Sequence, residues 1–148
     1  MNPLLLPAAI GAFLAGMLIA IQAPTNALLA RGAGSPVNAA LVSFVVGTLA
    51  LAAAALVLGM RPGAAAMRAL PWYAWIGGFY GAIFVAVAAF AAPRMGVTYF
   101  LMVAIAGQLV MALLLDRLGA FGVPRVEVSP VRLLGVAFVL AGAFLVRR

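Results

Sequence analysis

The sequence contains no cysteine and no histidine, and only 7% of its 148 residues are charged. The missing residue types exclude disulfides, thiol chemistry, zinc sites built on these ligands and histidine proton relays. A soluble domain usually carries charge on about a quarter of its residues, whereas 68% of the residues here are hydrophobic. The solvent around most of the chain is therefore lipid, and the composition predicts an all-α membrane protein.

Positive charge is confined to the ends of apolar runs. Nine arginines against Asp116 and Glu127 give a net charge of +7. A cation at the bilayer centre costs about 2.5–3.5 kcal/mol on insertion scales, so membrane proteins keep cations near helix ends. Because no helix carries a basic face, nucleic acid is excluded as a partner. The nine positions are Arg31, Arg61, Arg68, Arg94, Arg117, Arg125, Arg132, Arg147 and Arg148.

Five apolar segments are long enough to cross a bilayer, which takes about 20 helical residues. Turn signals rich in glycine and proline separate them, as at residues 32–36 and 93–96. The sequence therefore predicts about five transmembrane helices in a single transmembrane domain over residues 1–148. The predicted spans cover residues 4–29, 37–58, 72–91, 97–115 and 131–146.

The arginines are almost evenly divided between the two sides of such a membrane unit. Five spans place five arginines on the side of the N-terminus and four on the other side. Orientation follows the bias of basic residues across the membrane, and this bias is nearly zero. We expect insertion in both orientations and an antiparallel, dual-topology dimer with inverted two-fold symmetry. The alternative is one fixed orientation, set by a partner subunit or by a bias too small for this count.

Small residues mark the helix faces that can pack closely. Gly135 and Gly142 lie seven residues apart and therefore share one face of the last helix, which suggests a dimer seam. Gly77 and Gly81 form a similar pair on the third helix, for which packing inside one protomer is the preferred interpretation.

Uncharged polar side chains fall inside the predicted spans and are candidate substrate-binding residues. Pro24 lies between two of them, and its missing N–H leaves the carbonyl of Ala20 without its usual helical donor. The alternative is structural: amides that bond between helices, or hydroxyls that bond to their own helix backbone. The structural interpretation is favoured for Ser43 and Thr48. The candidate set is Gln22, Asn26, Ser43, Thr48, Tyr80, Tyr99 and Gln108.

Charged residues suggest two further roles near the helix ends. Asp116 is a candidate for proton or ion coupling, although pairing with Arg117 or another loop arginine is the simpler role. Arg94 is a candidate for attracting an anionic group, although anchoring at the interface is the simpler role. No nucleophile–base pair, phosphate loop or metal-ligand cluster is present, so we expect no catalytic site, metal or cofactor and no enzymatic activity.

The ordered set of these motifs resembles the YdcZ-like family, the half-size five-helix members of the drug/metabolite transporter superfamily. The matching segments are residues 21–26 (IQAPTN), 43–48 (SFVVGT), 71–81 (PWYAWIGGFYG), 93–96 (PRMG), 107–109 (GQL), 116–122 (DRLGAFG) and 134–142 (LGVAFVLAG).

The resemblance implies a small transporter of the bacterial inner membrane. Larger relatives have two inverted five-helix halves, and small relatives pair antiparallel. The last helix is similar to the dimerising helix of small multidrug-resistance transporters, which also carry a glutamate in the first helix. This chain has only Gln22 and Asn26 there, which argues against proton-coupled export of cations.

The expected function is alternating-access transport of a small polar metabolite or organic ion by an antiparallel dimer, formed with itself or with a close paralogue. The uncharged lining favours a neutral, zwitterionic or anionic substrate, while Tyr80 and Tyr99 leave cation–π binding of an organic cation open. Two alternatives remain: a dual-topology passive ion channel, and an accessory membrane subunit that does not transport.

Overall fold

The computed structural model describes residues 4–61 and 63–146, and the regular secondary structure of those residues is all helical. The predicted closing pair, Arg147 and Arg148, lies outside the described residues. Two short 3₁₀ turns, Trp72–Trp75 and Ala120–Gly122, interrupt the succession of α-helices. The α-helices are α1 (Leu5–Ala33), α2 (Pro36–Val57), α3 (Ala64–Arg68), α4 (Gly77–Met95), α5 (Val97–Leu118) and α6 (Pro130–Leu145).

Four segments have the length and apolar composition of membrane spans. They are Leu5–Ala33, Pro36–Val57, Trp72–Met95 and Val97–Leu118. The fifth predicted span is also an apolar helix, but α6 has only 16 residues. At about 1.5 Å per residue it is about 24 Å long, short of a hydrocarbon core of about 30 Å. The all-α membrane prediction is confirmed, with four full-length spans and one shorter helix.

Some helices end a few residues away from the approximate bounds predicted for the spans. The third span was predicted to end at residue 91, yet α4 continues through Pro93 to Met95. The helical backbone is interrupted only at Gly96, whose φ of 83° is readily adopted by glycine. The beginning of this span, Trp72–Trp75, is a 3₁₀ turn, and the α-helix starts at Gly77. The five-residue helix α3 was not predicted.

The chain divides into two compact units, Met1–Pro93 and Arg94–Arg148. The prediction of one transmembrane domain stays a prediction. In the first unit, α1 and α2 pack against each other as a helical hairpin. The Ser35 hydroxyl accepts a hydrogen bond from the backbone N–H of Asn38 at 3.0 Å, and the Asn38 amide donates to the carbonyl of Ala33 at 2.7 Å. These bonds fix the turn between the two helices.

A close approach to glycine also marks the packing of α4 in the first unit. A Cβ placed on Gly81 would lie 3.1 Å from Cζ of Phe44, which belongs to α2. The prediction that Gly81 serves packing inside one protomer is therefore confirmed. A Cβ on Gly77 would meet nothing within 4 Å.

The second unit is a hairpin of α5 and α6. Gly119 ends α5 in the left-handed conformation, with φ of 62°. The loop then folds back, because the backbone N–H of Val126 donates to the carbonyl of Asp116 at 2.9 Å. The hydroxyl of Ser129 caps α6 by accepting a hydrogen bond from the backbone N–H of Arg132 at 3.3 Å.

Small residues dominate the buried positions in both units. Nine of the eleven buried apolar residues among those described are alanines, and the other two are Val85 and Phe100. Long apolar side chains instead point outward, as Phe13 does with 71% exposure. Lipid solvates such side chains as well as a protein core does, so close backbone approach holds membrane helices together.

Candidate functional site

Asn26 is the one polar residue that is buried in the described part of the chain. Its side chain is 3% exposed, and its amide nitrogen Nδ2 has no hydrogen-bond partner. Leaving a buried donor unsatisfied costs about 1–3 kcal/mol. An unpaired donor at a buried position in a membrane helix is therefore a group that a bound molecule with an acceptor oxygen or nitrogen can satisfy.

The position of Asn26 follows from the local sequence of α1. Its neighbours Ala23 and Ala27 are also buried, so the three residues form one buried stretch of the helix. Pro24 lies inside the helix without ending it. Thr25 does not contribute a free hydroxyl, because its Oγ1 donates to the carbonyl of Ile21 at 2.8 Å.

Ser43 lies at the same level of the α1–α2 hairpin as Asn26. Asn26 comes eight residues before Gly34, where α1 ends, and Ser43 comes eight residues after Ser35, which caps α2. At about 1.5 Å per residue, each lies about 12 Å from the turn. Ser43 is half-buried and follows the buried Ala39 and Ala40 on the same face of α2.

The remaining candidates of the first unit are exposed. Gln22 is one helical turn from Asn26 on the same face, yet it is exposed. Thr48 is exposed and lies five residues from Ser43, which places it on a different face of α2. Tyr80 was expected near the centre of a helix, but it lies in the first turn of α4, with 57% exposure and its ring 6.5 Å from that of Phe79.

Gln108 and Tyr99 lie on opposite faces of α5. They are nine residues apart, which corresponds to half a turn beyond two full turns. Gln108 is central in the helix, as predicted, and exposed, while Tyr99 is half-buried near its start. A single cavity beside α5 within one protomer therefore contacts one of these residues but not both.

The carboxylate of Asp116 is held by an arginine of the next helix. Arg132 Nη1 lies 2.9 Å from Asp116 Oδ2, and the two side chains are 43% and 32% exposed, respectively. The simpler prediction was pairing with Arg117 or another loop arginine; Asp116 is indeed paired, but its partner Arg132 lies in the first turn of α6. Arg94 is exposed in the last turn of α4, where a cation interacts favourably with the negative end of the helix dipole.

The two glycines of α6 face the α5 side of the second unit. A Cβ on Gly142 would lie 3.1 Å from the terminal methyl of Met102. Gly135 lines a groove of 380 Å³ together with residues of α5 and has nothing within 4 Å of the position of a Cβ. The dimer seam at Gly135 and Gly142 stays a prediction.

The sequence identifies Arg117 and Arg125 only as charges beside helix ends. The loop brings them to one cavity of 740 Å³, which Val126, Glu127 and Val128 also line. Nε of Arg125 donates to the carbonyl of Arg117 at 2.9 Å. The sequence signal for this cavity is the pair of arginines on the two sides of the glycine-rich turn at residues 119–122.

Comparison with known families gives one result. Residues 7–145 match the model of a family described as "putative inner membrane exporter, YdcZ". No curated protein and no solved structure matches the chain.

Proposed function

The chain belongs to the YdcZ family of inner-membrane exporters, and from this premise we propose that it transports a small polar metabolite by alternating access in an antiparallel dimer. Membership of the family and the four membrane-length helices place the protein in the inner membrane. The substrate class, the binding residues and the dimer are the proposal.

The unpaired amide of Asn26 carries this proposal. Its Nδ2 is buried without a hydrogen-bond partner, and a substrate acceptor that bonded to it would remove the desolvation cost of this donor. A residue whose role was to join helices would already have its donor satisfied. Polar interactions between membrane helices contribute about 0.6 kcal/mol on average, and an unpaired donor contributes none of this within the protomer.

Ser43 supports a site beside Asn26 because the two residues lie at one level of the α1–α2 hairpin. Inverted repeats place the substrate near the bilayer midplane, where two copies of one element face each other. In an antiparallel dimer, the amide and the hydroxyl of one protomer would be joined by the same pair from the inverted copy. Gln22 and Tyr80 would then contact the substrate as the helices rock, and Gln108 stays a candidate residue of the second unit.

The chemistry of these groups favours a substrate without a strong net charge. The candidate set contains amides, hydroxyls and phenols but no ionised group, and a bare charge at bilayer depth needs a counter-charge. A neutral or zwitterionic metabolite with carbonyl or hydroxyl oxygens matches this lining. Proton coupling receives little support, since the carboxylate of Asp116 is already paired with Arg132.

A flux assay in liposomes tests the proposal. The purified protein is reconstituted and screened with labelled amino acids, sugars, small carboxylates and guanidinium-like cations, and each active substrate is then measured in counterflow. We expect saturable counterflow that falls at least tenfold in Asn26→Ala. The matched control is Thr25→Ala, which removes a neighbouring hydroxyl already bonded to the Ile21 carbonyl of its own helix and should leave flux intact.

Equal flux in the wild type and Asn26→Ala would contradict the site assignment. Conductance without counterflow would favour a channel, and an inert protein that co-purifies with one larger membrane protein would favour an accessory subunit.

A further inference from the structure

The second unit contains a polar cleft that continues into an apolar groove, and we propose that together they bind an anionic phospholipid. This site is separate from Asn26 and does not depend on the proposed transport activity. Arg117 and Arg125 would hold the phosphodiester of the headgroup, and an acyl chain would lie along α5 and α6.

The cleft has the charge and the donors that a phosphodiester needs. It has a volume of 740 Å³, and its charged residues are Arg117, Arg125 and Glu127, which sum to one positive charge. One phosphodiester carries one negative charge. Nε of Arg125 is already used by the carbonyl of Arg117, which orients the guanidinium and leaves its four Nη–H donors for a ligand.

The groove beside this cleft matches an acyl chain. Its volume is 380 Å³, and its walls are apolar apart from Arg117. Arg117 and Val128 line both the cleft and the groove, so the two spaces meet at these residues. The other lining residues are Val110, Leu113, Leu114, Leu133, Val136, Ala137 and Leu140.

The charged cleft and the apolar groove next to it together favour a lipid over a free anion. A free phosphate would use the arginines and leave the groove empty, whereas a phospholipid places a charged group and a hydrocarbon chain in the same order as the cleft and the groove. Basic clefts between membrane helices are known to bind anionic headgroups. Arg132 does not compete for this role, because Asp116 neutralises it.

Native mass spectrometry of the detergent-solubilised full chain tests the proposal. The probes are phosphatidylglycerol and phosphatidylcholine with identical acyl chains, added separately at equal concentration. We expect retention of phosphatidylglycerol over phosphatidylcholine. The double variant Arg117→Gln/Arg125→Gln should lose most of that preference, at roughly fivefold in affinity for each arginine.

A charge-matched control separates the cleft from general attraction. Arg61→Gln/Arg68→Gln removes the same charge from the first unit, outside the cleft and groove, and should retain the wild-type preference. Ala137→Phe should fill the groove and weaken binding while leaving both arginines in place. Circular dichroism and elution volume identify any variant that fails to fold, and Arg117→Gln alone then replaces the double variant.

Three results would overturn the proposal. Equal retention of the two lipids by the wild type would show that the protein does not recognise the charge of the headgroup. An equal loss of the preference for phosphatidylglycerol in both double variants would show that only the net charge of the protein matters. Displacement of phosphatidylglycerol by inorganic phosphate, with no effect of Ala137→Phe, would identify a free-anion site in place of a lipid site.

Discussion

Asp116 and Arg132 connect the last turn of α5 to the first turn of α6 through a contact of 2.9 Å between Oδ2 and Nη1. The pair closes the same hairpin whose loop is held by the backbone bond from Val126 to Asp116. It also engages the one acidic residue that lies within the described membrane-length helices, since Glu127 belongs to the loop.

The Asn substitution at Asp116 distinguishes a structural ion pair from a coupling carboxylate. Because both side chains are partly exposed, we expect Asp116→Asn to lower the free energy of unfolding by less than about 1 kcal/mol. In Asp116→Asn, the ratio of flux with a pH gradient to flux without one should equal the wild-type ratio. Arg132→Gln, which removes the other half of the pair, should have the same small effect. Selective loss of gradient-driven flux in Asp116→Asn alone would assign coupling to this carboxylate.

Substitution of Asn26 by leucine, which is of similar size, should separate stability from transport. The variant removes a buried donor that has no partner, so we expect the free energy of unfolding to rise by about 1 kcal/mol while counterflow is lost. The thermal midpoint in detergent and the flux in liposomes measure the two effects. If Asn26 joined helices in the dimer, leucine would instead lower the thermal midpoint together with the activity.

Alanine at Gly81 should loosen the packing of α4 on α2. The added methyl would lie 3.1 Å from Cζ of Phe44, so the ring must shift, and overpacking of this kind costs about 1–3 kcal/mol. The double variant Gly81→Ala/Phe44→Leu should recover much of the lost stability. Gly77→Ala is the matched control, because its Cβ would meet nothing within 4 Å. Equal destabilisation by both alanine variants would contradict the contact.

The helices were predictable because their apolar runs are long and few residues interrupt them. α3 was missed because five alanine-rich residues are too few to give a periodic pattern. The sequence of residues 93–96 predicts a turn, because a proline usually ends a helix. In the structure only Gly96 breaks the backbone, and Pro93 is accommodated in the last turn of α4.

The site was less predictable than the fold, because burial depends on the neighbouring helix. Gln22 and Asn26 share a face of α1 and were equal candidates in the sequence, yet only Asn26 is buried. That difference depends on where α2 approaches α1 and cannot be read from α1 alone. The cleft at Arg117 and Arg125 depends likewise on the loop geometry after Gly119.

Labelling of single cysteines tests the antiparallel arrangement directly, because the natural sequence has no thiol. Met60 and Thr98 are both exposed and flank the membrane-length segment Trp72–Met95, so they lie on opposite faces of the membrane in any one copy. A membrane-impermeant maleimide applied to spheroplasts should label roughly half of the Met60→Cys protein and roughly half of the Thr98→Cys protein, because the even arginine balance leaves both orientations populated. A permeant maleimide should label each variant completely. Full labelling of one variant and none of the other would establish a single orientation, and the antiparallel homodimer would then be excluded even if Asn26 proved essential for transport.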